Sequence, residues 1–185
     1  MATTASTPAV TTTWKLDPAH SHAEFKVKHM MISNVKGSFN GLSGTLTEHV
    51  TDATLSSVEA SIDIATISTG DAQRDAHLKS ADFFDAEKFP TMRFKSTSVK
   101  PNGDGGYNVT GDLTIHGDTR QQVFVVDGPS APAKDPWGNT RIGLSATTKI
   151  SRKDFGLTWN AALETGGILV GDDVQITVEA QFIKA

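Results

Sequence analysis

Apolar and polar residues alternate in several runs along the chain, which is the pattern of a β-strand with one buried face. In the first clear run, Ala23, Phe25 and Val27 fall on one side and the polar residues between them on the other. The same alternation recurs at residues 58–64, 92–95, 108–115, 142–150 and 174–182. With the shorter or less regular runs at residues 14–16, 35–46 and 119–127, the pattern predicts about eight strands.

Two segments break the alternation. Residues 70–89 contain a run of helix formers, which predicts a short helix that begins after Thr69 or Asp71 and a segment that stops at Pro90. Residues 128–139 contain three prolines, which predicts a surface loop. The remaining strands follow one another at spacings typical of antiparallel all-β proteins.

The strand pattern fits two architectures, a closed antiparallel barrel and a two-layer sandwich. A barrel leaves no free sheet edge, and eight strands leave an interior that holds one small ligand. Several aromatic residues lie outside the regular strand segments, where they would line a mouth or a lid. We therefore expect an all-β fold, an antiparallel barrel of about eight strands with a short helical insertion.

Length and composition narrow the function. A chain of 185 residues fits one domain, which we expect at residues 14–185 behind a disordered tail at residues 1–13, rich in Ala, Thr, Ser and Pro. The formal net charge of −4 provides no basic field for nucleic acid, so we expect no nucleic-acid partner. The absence of cysteine excludes disulfides and thiolate metal sites.

The chain shows no sign of a membrane span or an export signal. Its longest strongly apolar run, at residues 123–126, is far shorter than the roughly 20 residues that cross a bilayer. Residues 1–13 contain no Lys or Arg and no apolar stretch of the signal-peptide type. We expect a cytoplasmic protein, or a periplasmic or secreted one if a signal peptide was removed.

Motifs of catalysis and metal binding are weak. Neither a phosphate-binding loop nor a G-x-S-x-G elbow occurs, so we expect no enzyme and no cofactor. His20 and His22 fall on one face of a strand and His29 follows, but no further ligand completes the set, and we expect no metal. Arg74 and His77 share a helix face, which is either a solvated face or a polar gate that meets a ligand head group.

The sequence resembles a known family at several spaced blocks. They are WKLDPAHS at residues 14–21, RDxHLxSxDFF at 74–84, GxLTIxGxT at 111–119 and RxDFG at 152–156. In this order they resemble the YceI-like family, the bacterial polyisoprenoid-binding proteins, from Trp14 to Lys184. The resemblance implies a lipocalin-like barrel that binds a long-chain isoprenoid or a related amphiphilic lipid, such as a polyprenyl phosphate or a quinone, for storage, transport or sensing, without a catalytic step.

Candidate site residues follow from this interpretation. For the apolar cavity we expect Phe25, Met31, Phe39, Leu42, Phe84, Phe89, Phe94, Leu113, Phe155 and Trp159. Phe84 is preferred to Phe83 because Phe83, beside Leu78, is better placed to anchor the helix. For the ligand head group we expect His20, Arg74, His77 and Arg152.

Two other functions remain open from the sequence. One is an enzyme that acts on an isoprenoid or quinone, and the other is an interaction module whose interior is filled by side chains. A homodimer would be favoured by an exposed final strand.

Overall fold

A computed structural model describes residues 10–185. Its strands are β1 (Thr11–Leu16), β2 (His22–His29), β3 (Ser33–Phe39), β4 (Leu42–His49), β5 (Ser57–Asp63), β6 (Thr91–Pro101), β7 (Tyr107–Ile115), β8 (Asp118–Asp127), β9 (Ala133–Lys134), β10 (Thr140–Ser151) and β11 (Val170–Lys184). Within the described part, one α-helix, α1 (Ala72–Lys79), and four 3₁₀ helices (Pro18–His20, Ala53–Leu55, Ile64–Thr66 and Arg152–Phe155) join them. The helix is far too short to span a bilayer, as is every other helix between residues 10 and 185.

The strands close into a ring because β11 is paired on both sides. One edge of β11 pairs with β10, from Arg141 to Ser151. The other edge of β11 pairs with β2 and then with β1. From β1 the ladder continues through β4, β5, β6, β7 and β8 back to β10, and every pair is antiparallel. The predicted barrel of eight strands is therefore confirmed, and the sandwich alternative is wrong.

Two pairs of tandem short strands, together with the two-residue strand β9 that pairs with β10 alone, explain why eleven strands make an eight-stranded ring. β1 and β2 lie one after the other along β11, with Leu16 opposite Phe182 and His22 opposite Glu179. β3 and β4 likewise divide the run predicted as one strand at residues 35–46. Between them the main chain turns, and the Gly41 N–H donates to the Thr66 hydroxyl at 3.1 Å.

The β3 edge is covered by the segment at residues 64–90 instead of by a full strand. Ser38 and Ser68 exchange two main-chain hydrogen bonds of 2.9 Å, and beyond them side chains of the segment pack on the core. This segment contains α1, which confirms the predicted helix. Asp71 caps it by accepting a hydrogen bond from the Arg74 N–H at 2.9 Å.

Two predictions need correction, one on where the first strand begins and one on whether the final strand is exposed. β1 begins at Thr11, so residues 11–13 belong to a strand that pairs with β4, and the part of the predicted tail at residues 1–9 lies outside the described residues. The final strand is interior to the sheet, so it offers no free edge for a dimer. The homodimer itself stays a prediction.

Glycines on the inward faces make room for large rings. The Phe25 ring lies against Gly37 on the neighbouring strand, where a side chain would clash with it. At Gly111, a Cβ atom would lie only 2.6 Å from Cζ of Phe94, which covers it in the same way. Replacing either glycine would therefore displace an aromatic ring that faces the interior.

An ion-pair cluster fixes the loop between β8 and β10. The guanidinium of Arg141 lies 2.6 Å from Oδ2 of Asp17 and 2.6 Å from Oδ2 of Asp135, and all three side chains are less than a fifth exposed. Hydrogen bonds from Arg141 and His20 lower the pKa of Asp17 to about 2. The same guanidinium holds the pKa of Asp135 well below its ordinary range.

Acid should remove the contribution of this cluster. The folded-state pKa of Asp17 lies below its ordinary value of 3.8, so the stabilisation is complete above about pH 4 and is lost as the pH falls towards 2. We expect Asp17→Asn to lower the melting temperature at pH 7, and the difference from the wild type to shrink to nearly zero at pH 2. Thermal unfolding between pH 2 and 7 measures this. Asp104→Asn, in an exposed turn, is the control and should show no such trend; a constant difference for Asp17→Asn would contradict the assignment.

Candidate functional site

The barrel encloses an elongated cavity of about 730 Å³. It extends from His29 and Val170 at one end of the barrel to Val50 and Thr51 at the other. This volume lies within the roughly 300–1,000 Å³ typical of small-ligand sites. An interior filled by side chains, which was one of the alternatives, is therefore wrong.

Inward positions of the strands form an almost entirely apolar wall. Small residues at some of these positions, such as Ala60 and Ala146, leave the space that larger ones would fill. The larger apolar residues of the wall include Leu16, Phe25, Val27, Phe39, Leu42, Leu46, Ile62, Met92, Phe94, Leu113, Phe124, Leu144, Ile150, Val174, Ile176 and Val178. Such a surface gains free energy by covering an apolar chain and offers it no hydrogen bonds.

Aromatic rings from the segment at residues 64–90, which covers the β3 edge, close one side of the cavity. The ring of Phe84 contacts that of Phe39 edge-on, with centroids 6.0 Å apart. The Phe83 ring lies 5.3 Å from that of Trp159, whose ring also meets His77 at 4.8 Å. Phe83 is buried and Phe84 is half-buried, and both line the cavity.

Seven of the ten side chains predicted for the apolar site lie in the cavity wall. They are Phe25, Phe39, Leu42, Phe84, Phe94, Leu113 and Trp159. Their role in binding stays a prediction, because the structure shows their position alone.

Three predicted wall residues lie elsewhere. Met31 is 59% exposed in the turn between β2 and β3 and does not line the cavity. Phe89 packs against the ring of His116, with centroids 4.8 Å apart. Phe155 is fully buried in the core beside the cavity, and its carbonyl accepts a hydrogen bond from Nδ1 of His116 at 3.2 Å.

Two of the four predicted head-group residues lie on α1, at the end of the cavity that His29 and Val170 border. The guanidinium of Arg74 donates to the hydroxyl and the carbonyl of Thr69 at 2.8 and 2.9 Å, and it remains exposed. Nε2 of His77 lies 2.9 Å from Oδ2 of Asp82. The two side chains, which share a helix face as predicted, both line the cavity.

His20, the third predicted head-group residue, lies away from the cavity. Its ring pairs with Asp17 at 2.8 Å, is more than half exposed and lies outside the cavity. The short 3₁₀ turn between β1 and β2 keeps it on the outer surface.

Arg152 is also unsuited to bind a head group, because the main chain already uses its donors. The buried guanidinium donates to the carbonyls of Leu157, Trp159, Val170 and Gly171 at 2.6 to 3.3 Å. Burial lowers the pKa of Arg152, and the charge of a nearby aspartate opposes that shift. Arg152 borders the cavity but acts as an anchor between two segments of the chain.

The loop that Arg152 anchors is also closed by Asn160. The side-chain amide of Asn160 donates to the Val170 carbonyl at 2.8 Å and accepts from the Val170 N–H at 3.0 Å. The ends of the loop therefore lie side by side, and its tip, around Gly166 and Gly167, is exposed. The Trp159 ring, which precedes this clamp, is thereby held over the cavity end.

Glu48 is one of several polar wall residues that the sequence analysis does not predict. Glu48 lines the cavity, and its Oε2 accepts a hydrogen bond from the indole N–H of Trp14 at 2.8 Å. The strand phase that puts Leu42 and Leu46 inside also puts residue 48 inside, so a longer predicted strand would have found it. Among residues 10–185, no three His, Asp or Glu side chains are arranged to hold a metal ion.

Comparison with known proteins decides the family. The model of a family described as the YceI-like domain matches residues 14–182. The chain belongs to the YceI-like family. A UPF0312 protein of Staphylococcus aureus (strain N315) is 37% identical over 172 residues, which cover 92% of this chain and 97% of that protein. A UPF0312 protein of Vibrio cholerae serotype O1 (strain M66-2) is 41% identical over 139 residues, 75% of this chain and 73% of its own.

Solved structures share the YceI-like barrel. BcnA of Burkholderia cenocepacia superposes with a TM-score of 0.75 at 26% identity, covering 90% of this chain and 98% of its own. A YCEI protein of Campylobacter jejuni gives 0.70 at 31%, covering 86% and 91%. A polyisoprenoid binding domain from Saccharophagus degradans, implicated in plant cell wall breakdown, gives 0.64 at 17%, covering 93% and 98%, a likeness of fold. The predicted YceI-like, lipocalin-like barrel is confirmed.

The anchoring role of Arg152 has a measurable consequence. Arg152→Met removes this donor from the carbonyls of Leu157, Trp159 and Gly171, whereas the Val170 carbonyl keeps its hydrogen bond from Asn160, so we expect the change to lower the free energy of unfolding by at least about 3 kcal/mol. Arg120→Met is a matched control, since Arg120 makes one exposed bond to the Asp154 carbonyl, and it should cost less than about 1 kcal/mol. Urea unfolding measures both. Unchanged stability with weakened ligand binding would instead return Arg152 to the head-group site.

Proposed function

We propose that this YceI-like protein binds a long-chain isoprenoid or a related amphiphilic lipid in the barrel, without changing it chemically. The observation that carries the proposal is the continuous apolar cavity that runs through the barrel between its two ends. The Saccharophagus degradans domain, which has the same fold, is named a polyisoprenoid binding domain, and this name also supports the proposal.

The size of the apolar wall favours a long chain over a short one. Burying ten methylene or equivalent carbons gains about 8 kcal/mol at roughly 0.8 kcal/mol each. Association costs about 4 to 15 kcal/mol, so a chain of this size would bind weakly at best. A tail of several isoprene units provides the surplus without strong polar contacts.

The polar end of the ligand belongs beside Arg74 and His77. These two side chains stand at the cavity end on α1, and Lys28 and His29 border the same end from β2. A phosphate or another oxygen-rich head group would meet guanidinium, imidazole and ammonium donors there. The apolar tail would then extend towards the other end of the barrel.

A binding role accounts for the chemistry of the interior better than a catalytic one. The Glu48 carboxylate is engaged by the Trp14 indole, and the Arg152 donors are engaged by carbonyls. The His77 and Asp82 side chains are 40% and 54% exposed, so water reaches this pair. Storage, transport and sensing all fit this role, and a cytoplasmic location stays a prediction from the sequence.

Uptake of an apolar chain tests the proposal. Delipidated protein should take up a polyprenol with a change in Trp159 fluorescence, a signal absent from Trp159→Phe. Phe84→Asp should lower the affinity more than about tenfold, because a carboxylate in the wall must lose water when the tail enters. Val123→Asp adds the same charge on the exposed outer face of β8 and is the control.

Two results would contradict this assignment. Binding of the polyprenol by folded Phe84→Asp within tenfold of the wild type would remove Phe84 from the site. Failure of the wild type to bind any long-chain lipid, with none in organic extracts of the purified protein by mass spectrometry, would remove the proposed function.

The head-group assignment makes a separate prediction. Arg74→Gln should weaken binding of a polyprenyl phosphate by about tenfold or more, the loss of a charge-assisted hydrogen bond, and leave a polyprenol of the same length unaffected. Lys79→Gln removes a charge from the same helix outside the cavity and should change neither affinity. Fluorescence titration of both ligands measures the ratio, and an equal loss for both would contradict the head-group role.

A further inference from the structure

The turn between β2 and β3 presents three consecutive apolar side chains to solvent. Met30, Met31 and Ile32 are 40%, 59% and 80% exposed. The Ile32 N–H donates to the His29 carbonyl at 3.2 Å and closes the turn. No other site in the described chain exposes three large apolar residues in succession.

The backbone conformation of this turn is energetically unfavourable for methionine. Met30 and Met31 have φ of +52° and +59°, a region that bulky side chains rarely adopt. Hairpin turns with two such residues favour Asn-Gly, which accepts this backbone without strain. Because neither methionine is buried in the core, packing inside the fold does not explain them, and such strain in a native structure points to a function.

Three lysines surround the same hairpin. Lys26 lies directly opposite Lys36 across the two strands, an arrangement of like charges that destabilises a sheet. Lys28 follows on β2, and none of the three lysines forms an ion pair with a described residue. Acidic residues at the start of β11 already pair with basic residues from other elements. The hairpin is therefore a local positive region on a chain of net charge −4.

The turn stands next to the cavity end. The Met30 N–H donates to the Leu169 carbonyl at 2.7 Å, and Leu169 and Val170 line the cavity. Whatever covers the turn is thus brought beside the end of the barrel where Arg74 and His77 lie.

We infer that the β2–β3 turn docks on an anionic lipid bilayer, with Met30, Met31 and Ile32 in its interfacial region and the lysines against the head groups. Apolar burial and attraction to anionic lipid together are what hold a small protein surface on a membrane. A second copy of this chain fits less well, because a symmetric contact between two such turns would bring the same lysines together. The docking needs no ligand in the barrel, so it can be tested apart from the proposed function.

Sedimentation with vesicles measures the docking. We expect the protein to bind vesicles of phosphatidylcholine with phosphatidylglycerol, to bind phosphatidylcholine alone more weakly, and to release as salt is added. Each of Lys26→Gln, Lys28→Gln and Lys36→Gln should weaken binding to the anionic vesicles by about fivefold. Equal binding to both kinds of vesicle would overturn the electrostatic part of the inference.

A variant of the turn separates docking from folding. The triple change Met30→Asn, Met31→Gly and Ile32→Thr places the preferred residues in the turn, so we expect an equal or higher melting temperature. It should nevertheless lose vesicle binding by about tenfold or more, because the apolar contact is gone. Val10→Ser with Leu55→Ser removes exposed apolar side chains at the opposite end of the barrel and should bind as the wild type does.

A site-specific probe locates the contact. The chain has no cysteine, so Ile32→Cys and Leu55→Cys each accept a single environment-sensitive dye. On anionic vesicles the emission of the dye at position 32 should shift to the blue and that at position 55 should not. No shift at position 32, or triple-variant binding within twofold of the wild type, would overturn the inference.

Two further measurements, dye emission without vesicles and polyprenol uptake by the triple variant, also test the inference. A blue shift at position 32 that rises with protein concentration without vesicles would assign the turn to a contact between copies and overturn bilayer docking. Normal uptake of a polyprenol by the triple variant, with vesicle binding lost, would support docking as a property separate from the cavity.

Discussion

The hydrogen bonding of β11 on both edges is the interaction on which the rest of the structure depends. β10 pairs with it at eleven successive positions, from Arg141 to Ser151, and β2 and β1 share its other edge. Because this closes the sheet on itself, the inward side chains do not have to meet a second layer. The interior can then stay open without exposing a long strand edge to solvent.

The ring of strands and the segment at residues 64–90 are held in place by different kinds of contact. The ring is held by main-chain hydrogen bonds, which do not need a filled interior, whereas the segment at residues 64–90 is attached chiefly through buried side chains such as Ile64 and Phe83. That segment brings the side chains of Arg74 and His77, on α1, to one end of an apolar space. The insertion between β5 and β6 therefore adds two polar side chains to the end of the cavity that Lys28 and His29 border from β2.

The sequence predicts this architecture well where side chains alternate and poorly where they do not. The alternation through β2, β7, β10 and β11 depends on one buried face, so it reports the inside of the barrel directly. Phe89 and Phe155 lie in irregular segments, where nothing local decides whether a ring enters the cavity or packs on His116 or the core. Arg152 was unpredictable for another reason, since its acceptors are carbonyls up to nineteen residues away that only the fold assembles.

The double clamp by Arg152 and Asn160 also bears on how the chain tolerates changes in length. Both side chains tie the base of the loop before β11, while its tip at Gly166 and Gly167 contributes no side chain to the cavity. The entropic cost of a longer loop grows only slowly with length when its ends are already held together. Extra residues inserted between these two glycines would leave the barrel in register, so this tip is a natural place to graft a peptide or a reporter domain.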